Sequence, residues 1–261
     1  MKNINQFITE YIVKKKLDKP IDSEDHYDYF PKTKEELIEN LNELISQNIY
    51  DFNCIDTSAI TDMSQLFSGI TIEKDFNVSN WNVKNVKDMN SMFSGCKYFN
   101  CDLSSWDVSN VENMEFMFNY CKSFEGKGLE NWNVSNVKHM DLMFNYCIKF
   151  NGKSIENWNV SNLLSARSTF IRCENFDCDL SKWDVSNVKS MISMFLECKS
   201  FKGKGLENWD VHNVENMNYM FYDCKKFNCD LNKWNTKKVK EMKHMFYNCD
   251  ILKNKPIWYK Q

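Results

Sequence analysis

Eleven cysteines and four histidines are the side chains of this sequence best suited to bind a metal, cross-link or act as nucleophiles, and their spacing decides among these uses. Cys96, Cys121, Cys147, Cys173, Cys198, Cys224 and Cys249 recur at intervals of 25 or 26 residues, the mark of a repeated structural position. There a reduced cysteine behaves as a small hydrophobe. Cys101, Cys178 and Cys229 complete C-x4-C pairs in three separated copies, but a tetrahedral zinc site needs four converging ligands and no histidine joins any pair. His26, His139, His212 and His244 stand at unrelated offsets and share no register with a Ser or Cys nucleophile, so no catalytic triad is expected. The connectors Gly126-Lys127-Gly128 and Gly203-Lys204-Gly205 match neither glycine motif that cradles phosphates. The expectation is a protein that is not an enzyme and needs no metal and no cofactor.

Those cysteines belong to a larger repeat. Trp81, Trp106, Trp132, Trp158, Trp183, Trp209 and Trp234 keep the same intervals, as do Phe93, Phe118, Phe144, Phe170, Phe195, Phe221 and Phe246. We number the seven copies from Trp81; a degenerate leading copy, IDTSAITDMSQLFSGI, precedes them with Ile55 and Ile70 at the Trp and Cys positions. Val86, Met89, Met92, Phe93 and Cys96 fall on one arc of a helical wheel, which predicts a short amphipathic helix per copy. Ser109-Asn110, Ser135-Asn136, Ser161-Asn162 and Ser186-Asn187 stand where helix N-caps would. Upstream, Leu103-x-x-Trp106-x-Val108 reads as a strand with Trp and Val inward. Stacked copies bury what one copy cannot, and helices pack more widely than strands, which predicts curvature with strands on the concave face. The expected fold class is α/β: a curved solenoid of about eight strand–helix repeats of 25 or 26 residues.

Connectors such as FEGKGLENW insert one residue beside a glycine relative to FNCDLSSW, to be absorbed in a turn. In copy four Ala166 and Thr169 replace the Met pair, which predicts the weakest joint. Residues 1–50 form a separate N-terminal helical cap, started by a capping box at Thr33-x-x-Glu36 and striped by Leu37, Ile38, Leu41, Leu44 and Ile45. The solenoid occupies 51–261, with Ile257, Trp258 and Tyr259 closing its last copy after Pro256.

The chain is 43% hydrophobic and 26% charged, with a formal net charge of -3, so a folded domain is expected. Only Arg167 and Arg172 are arginines among 33 basic residues, which argues against nucleic-acid binding. No apolar run is long enough for a membrane span. Met1 to Pro20 does not read as a secretory signal because Lys14 to Lys16 follow the apolar residues. A cytoplasmic location is the default expectation, with the bacterial surface or secretion as the alternative.

The pattern W-[ND]-V-S-N-V-x-x-M-x-x-M-F-x-x-C-x-x-F, as in Trp106 to Phe124, resembles the BspA-like leucine-rich-repeat proteins and the mycoplasma-type surface-protein repeat domain of unknown function. The resemblance extends over about residues 51–252. It implies a leucine-rich-repeat-like solenoid associated with adhesion and partner binding, without catalysis. The function expected is a non-enzymatic protein–protein interaction scaffold; the alternative is a surface adhesin binding a host glycan or matrix protein.

Two sets of outward residues are candidates for partner contact. Phe116 with Tyr120 and Leu142 with Tyr146 are i, i+4 pairs off the inward stripe, and Tyr219 with Tyr222 adds a second aromatic patch. They either anchor a protein partner or widen the core. The position after each Trp, occupied by Asn82, Asp107, Asn133, Asn159, Asp184, Asp210 and Asn235, either recognises a peptide or glycan or is a solvated polar face. A further column, Asn110, Asn136, Asn162, Asn187 and Asn213, is expected to bond backbone groups of adjacent turns. Partner identity and oligomeric state are left open.

Overall fold

The computed structural model describes residues 27–70, 72–250, 252 and 255–259. Residues 1–26, which include much of the expected cap, Lys14 to Lys16 and His26, lie outside these. One α-helix, α1 (Lys34–Ser46), precedes the repeats. Its start is the capping box the sequence predicts: the Thr33 side chain accepts from the Glu36 amide, and Glu36 reaches back to the Lys32 amide at 2.6 Å. Leu37, Leu41 and Leu44 are buried, and Lys34 bonds Asp62 and Ser64 of the leading copy.

The strand–helix expectation fails beyond α1. Among the described residues there is no sheet, and the only other helices are single 3-10 turns at Leu129–Asn131, Lys153–Ile155 and Leu206–Asn208. Each copy is instead a run of overlapping β-turns. In copy one the amides of Met92, Ser94, Cys96 and Phe99 each bond the carbonyl three residues back. Between them, the amides of Met89, Ser91, Phe93 and Gly95 point the other way and bond the carbonyls of Asn113, Glu115, Met117 and Asn119 in the next copy. The predicted strand is likewise folded into turns: the Trp106 amide bonds the Leu103 carbonyl, and Ser109 bonds Asp107 in place of capping a helix. Among the described residues the bridges joining the copies are one residue wide, a parallel series from Asp62 through Asp88, Asn113, His139, Ser165, Ser190 and Asn216 to Glu241.

Turns win over helices here for two reasons. A ten-residue helix rich in Asn, Ser, Val and Phe is marginal by propensity and length. Backbone bonding between copies brings them to about the 4.8 Å spacing of paired strands, whereas packed helices stand 8–10 Å apart. Only the closer spacing lets rings touch. From Phe67 to Phe246 eight phenylalanines stack, with successive centroids 5.5–5.7 Å apart and planes within 13°. Trp106, Trp132 and Trp158 stack at 6.2 Å, and Trp258 seats on Trp234 at 6.0 Å, closing the last copy. With no helical side to splay, the argument for a curved strand–helix solenoid loses its premise.

Polar groups of the interior follow the same logic. Each indole N–H donates to a carbonyl of the preceding copy, as Trp132 does to Leu103 at 3.1 Å. The Asn column bonds adjacent turns as expected, Asn136 reaching the Ser109 carbonyl at 2.7 Å. In copy four the Thr169 hydroxyl, fully buried, donates to the Met140 carbonyl, an interaction the methionine at this position in other copies cannot make. The inserted connector residues are taken up where Gly128, Gly152 and Gly205 adopt φ of 84 to 91° before the 3-10 turns.

Candidate interaction surface

Two equivalent positions in every copy occupy the left-handed backbone region. Gln65, Ser91, Phe116, Leu142, Ser168, Ser193, Tyr219 and His244 form one such column, at φ 53 to 58°. Four residues on, Gly69, Gly95, Tyr120, Tyr146, Arg172, Glu197, Asp223 and Asn248 form the second. Each stands third in a β-turn, where a type II turn requires positive φ. Between the two runs the column Ser68, Ser94, Asn119, Asn145, Ile171, Leu196, Tyr222 and Tyr247. These three columns make a stripe along the stack.

All six predicted aromatic and aliphatic contact residues lie on this stripe, though not as helical i, i+4 pairs. Phe116, Leu142 and Tyr219 share the first left-handed column, Tyr120 and Tyr146 the second, and Tyr222 the column between. Contact runs along columns. Tyr120 stacks on Tyr146 at 4.4 Å. The Arg172 guanidinium covers the other side of Tyr146 at 4.8 Å and is held by Glu197 through contacts of 2.8 and 3.0 Å. Further along, Tyr219 lies 6.0 Å from Tyr222 and 5.5 Å from His244, while Tyr222 stacks on Tyr247 at 4.9 Å. Arg172, Glu197, His244 and Tyr247 were missed by sequence reasoning. Writing the copies in register would have revealed them, since they occupy the same offsets as the residues chosen.

The position after each Trp behaves differently. Asp107, Asp184 and Asp210 each accept the amide two residues on, closing Asx turns with Ser109, Ser186 and His212. The Ser109 hydroxyl holds the Asp107 carboxyl below its ordinary range, and the His212 side chain does the same for Asp210. These carboxylates are occupied in shaping their own turns, and the structure brings them to none of the stripe residues.

The cysteines are all reduced. With no wide helices between the copies, the expected argument against cross-links, that helices hold the cysteines apart, loses its premise; instead the thiols are committed, Cys121, Cys147, Cys173, Cys198 and Cys224 each donating to the carbonyl of a phenylalanine in the preceding copy at 2.9–3.0 Å. Burial pushes the Cys96 thiol up to about 12 and holds Cys121 and Cys147 well above their ordinary range, so thiolate chemistry is suppressed. Among the described residues no three His, Cys, Asp or Glu converge on a metal position, and no helix is long and apolar enough to cross a membrane. A groove of about 480 Å³ at the connectors is lined by Glu125, Lys127, Glu130, Lys153 and Ser154 and gathers none of the predicted contact residues.

The chain matches the family described as a Mycoplasma protein of unknown function, DUF285, over residues 35–153, 122–205 and 191–259. No curated protein and no solved structure matches it. The family match carries the repeat; it does not extend to the leucine-rich-repeat proteins.

Proposed function

The chain belongs to the DUF285 family, and since that family's function is unknown we propose, from the surface itself, that the protein is a non-enzymatic scaffold for binding another protein through the three-column stripe. One observation carries this reading. Inward positions repeat with little change, whereas the stripe alternates glycine and serine with Phe116, Tyr120, Tyr146, Arg172, Glu197, Tyr219 and Tyr247. Tyr120 and Tyr247 are 42% and 51% exposed despite their size. Exposed aromatics flanked by a paired arginine are the residue types that dominate binding energy at protein interfaces. The likeness of the Trp-to-Phe pattern to BspA-like proteins supports the same reading.

Copy one supplies the test, because at the corresponding positions it folds with Ser91 and Gly95. A variant combining Phe116→Ser, Leu142→Ser, Tyr120→Gly and Tyr146→Gly is expected to keep the stack and its melting temperature within a few degrees, and to lose at least about tenfold in affinity for captured partners. Unchanged capture by the folded variant overturns the proposal.

A further inference from the structure

We propose that the partner fitted to this stripe is a second copy of the chain, laid antiparallel about a twofold axis between copies four and five; this rests on the reading of the stripe as a contact surface. A closed twofold interface must be self-complementary: whatever stands at one distance from the axis meets what stands at the same distance on the other side. With the axis lying in the face and across the stack, each column meets itself with the order of copies reversed.

The centre of the stripe satisfies that condition. The first left-handed column runs Phe116, Leu142, Ser168, Ser193, Tyr219, His244, large–large–small–small–large–large, so Leu142 meets Tyr219 on either side of a recessed centre where Ser168 is half-buried and Ser193 buried. In the column between, Ile171 meets Leu196, both half-buried. In the second left-handed column Arg172 meets Glu197 twice, once on each side of the axis. Those two side chains already pair within one chain at 2.8 Å, so the dimer would set a square of alternating charges at its centre. Six copies at about 4.8 Å give a stripe roughly 25–30 Å long, comparable to the footprint of a standard interface of about 800 Å² per partner. Polar matching of this kind fixes orientation as well as affinity.

Sedimentation equilibrium of the full chain over about 1–100 µM tests the proposal. Wild type is expected to dimerise reversibly. Arg172→Glu and Glu197→Arg should each raise the dimer dissociation constant about tenfold or more, and Ile171→Asp, which leaves the ion pair in place, should do the same. Mixing the Arg172→Glu and Glu197→Arg chains should restore a heterodimer near wild-type affinity, because every contact across the axis is then between opposite charges while the pairs within each chain are of like charge. An intrachain role cannot produce that recovery. A wild-type chain that stays monomeric over the range, a dimer indifferent to all three substitutions, or a mixture that does not recover would each overturn the second-copy assignment. Partner capture lost by the serine–glycine variant would still uphold the stripe as a binding surface for a different protein.

Discussion

The left-handed residues are where this sequence departs most from ordinary local preference. Among the described residues fifteen non-glycines adopt positive φ, and for L residues that region is disfavoured by about 1–2 kcal/mol each. The backbone accepts it because the turn that needs it also releases an amide to the next copy, as Ser91 bonds the Glu115 carbonyl at 2.8 Å. Gln65 is exposed at φ 55°. Gln65→Gly is therefore expected to raise stability by about 0.5–1 kcal/mol, the relief of φ less the entropy of glycine, measurable by denaturant unfolding. At Gly95 an added Cβ meets open space, so Gly95→Ala should lose only about 1 kcal/mol to the left-handed strain. At Gly128 the same atom falls 2.2 Å from the Ser104 amide nitrogen, and Gly128→Ala should lose more than about 3 kcal/mol. Equal losses at the two glycines would contradict this account. The stripe residues were legible as outward and variable; their left-handed conformation was not, because Phe116 and Tyr146 are poor candidates for it by type.

At the level of the single copy, the element is a coil of turns joined to its neighbours by backbone and interior polar bonds. Sequence periodicity misled here. Offsets of three and four residues are shared by an α-helix and by successive β-turns, so the buried set Val86, Met89, Met92, Phe93 and Cys96 fits both. What separates them is whether amides bond within the segment or across to the next copy, and no residue type announces that. Each indole ties two copies together: Trp132→Phe removes one of the two N–H groups on the Leu103 carbonyl, 3.1 Å away, leaves that of Trp106, and should destabilise by about 0.5–1.5 kcal/mol. The loss is expected in urea unfolding with little change in slope; a neutral substitution would show that the indole N–H adds nothing to the joint between copies. Charged side chains add register more than stability. Lys138–Glu112 at 2.7 Å and Lys240–Glu215 at 2.6 Å link adjacent copies, and exposed pairs contribute about 0–1 kcal/mol each.

The whole molecule is a one-dimensional stack in which each copy bonds chiefly to those before and after it, so stability should be distributed as nearest-neighbour terms. Phe144 is fully buried and stacks on Phe118 and Phe170 at 5.7 Å; Phe144→Ala should lose about 3–5 kcal/mol. Hydrogen exchange should then quicken most in copies two to four and least beside Trp258 and α1. Uniform quickening would instead mark a single cooperative unit. The amino-acid sequence by itself determined the repeat, the identity of the inward residues, the helix capped at Thr33 and striped from Leu37 to Ile45, and the set of variable positions, because these follow from periodicity, capping chemistry and apolar type. Only the tertiary structure decided that the copies lie one backbone spacing apart as turns, and so which variable residues stand in line. That choice depends on amides pairing between segments about 25 residues apart, and a bond shared between copies has no signature within either one.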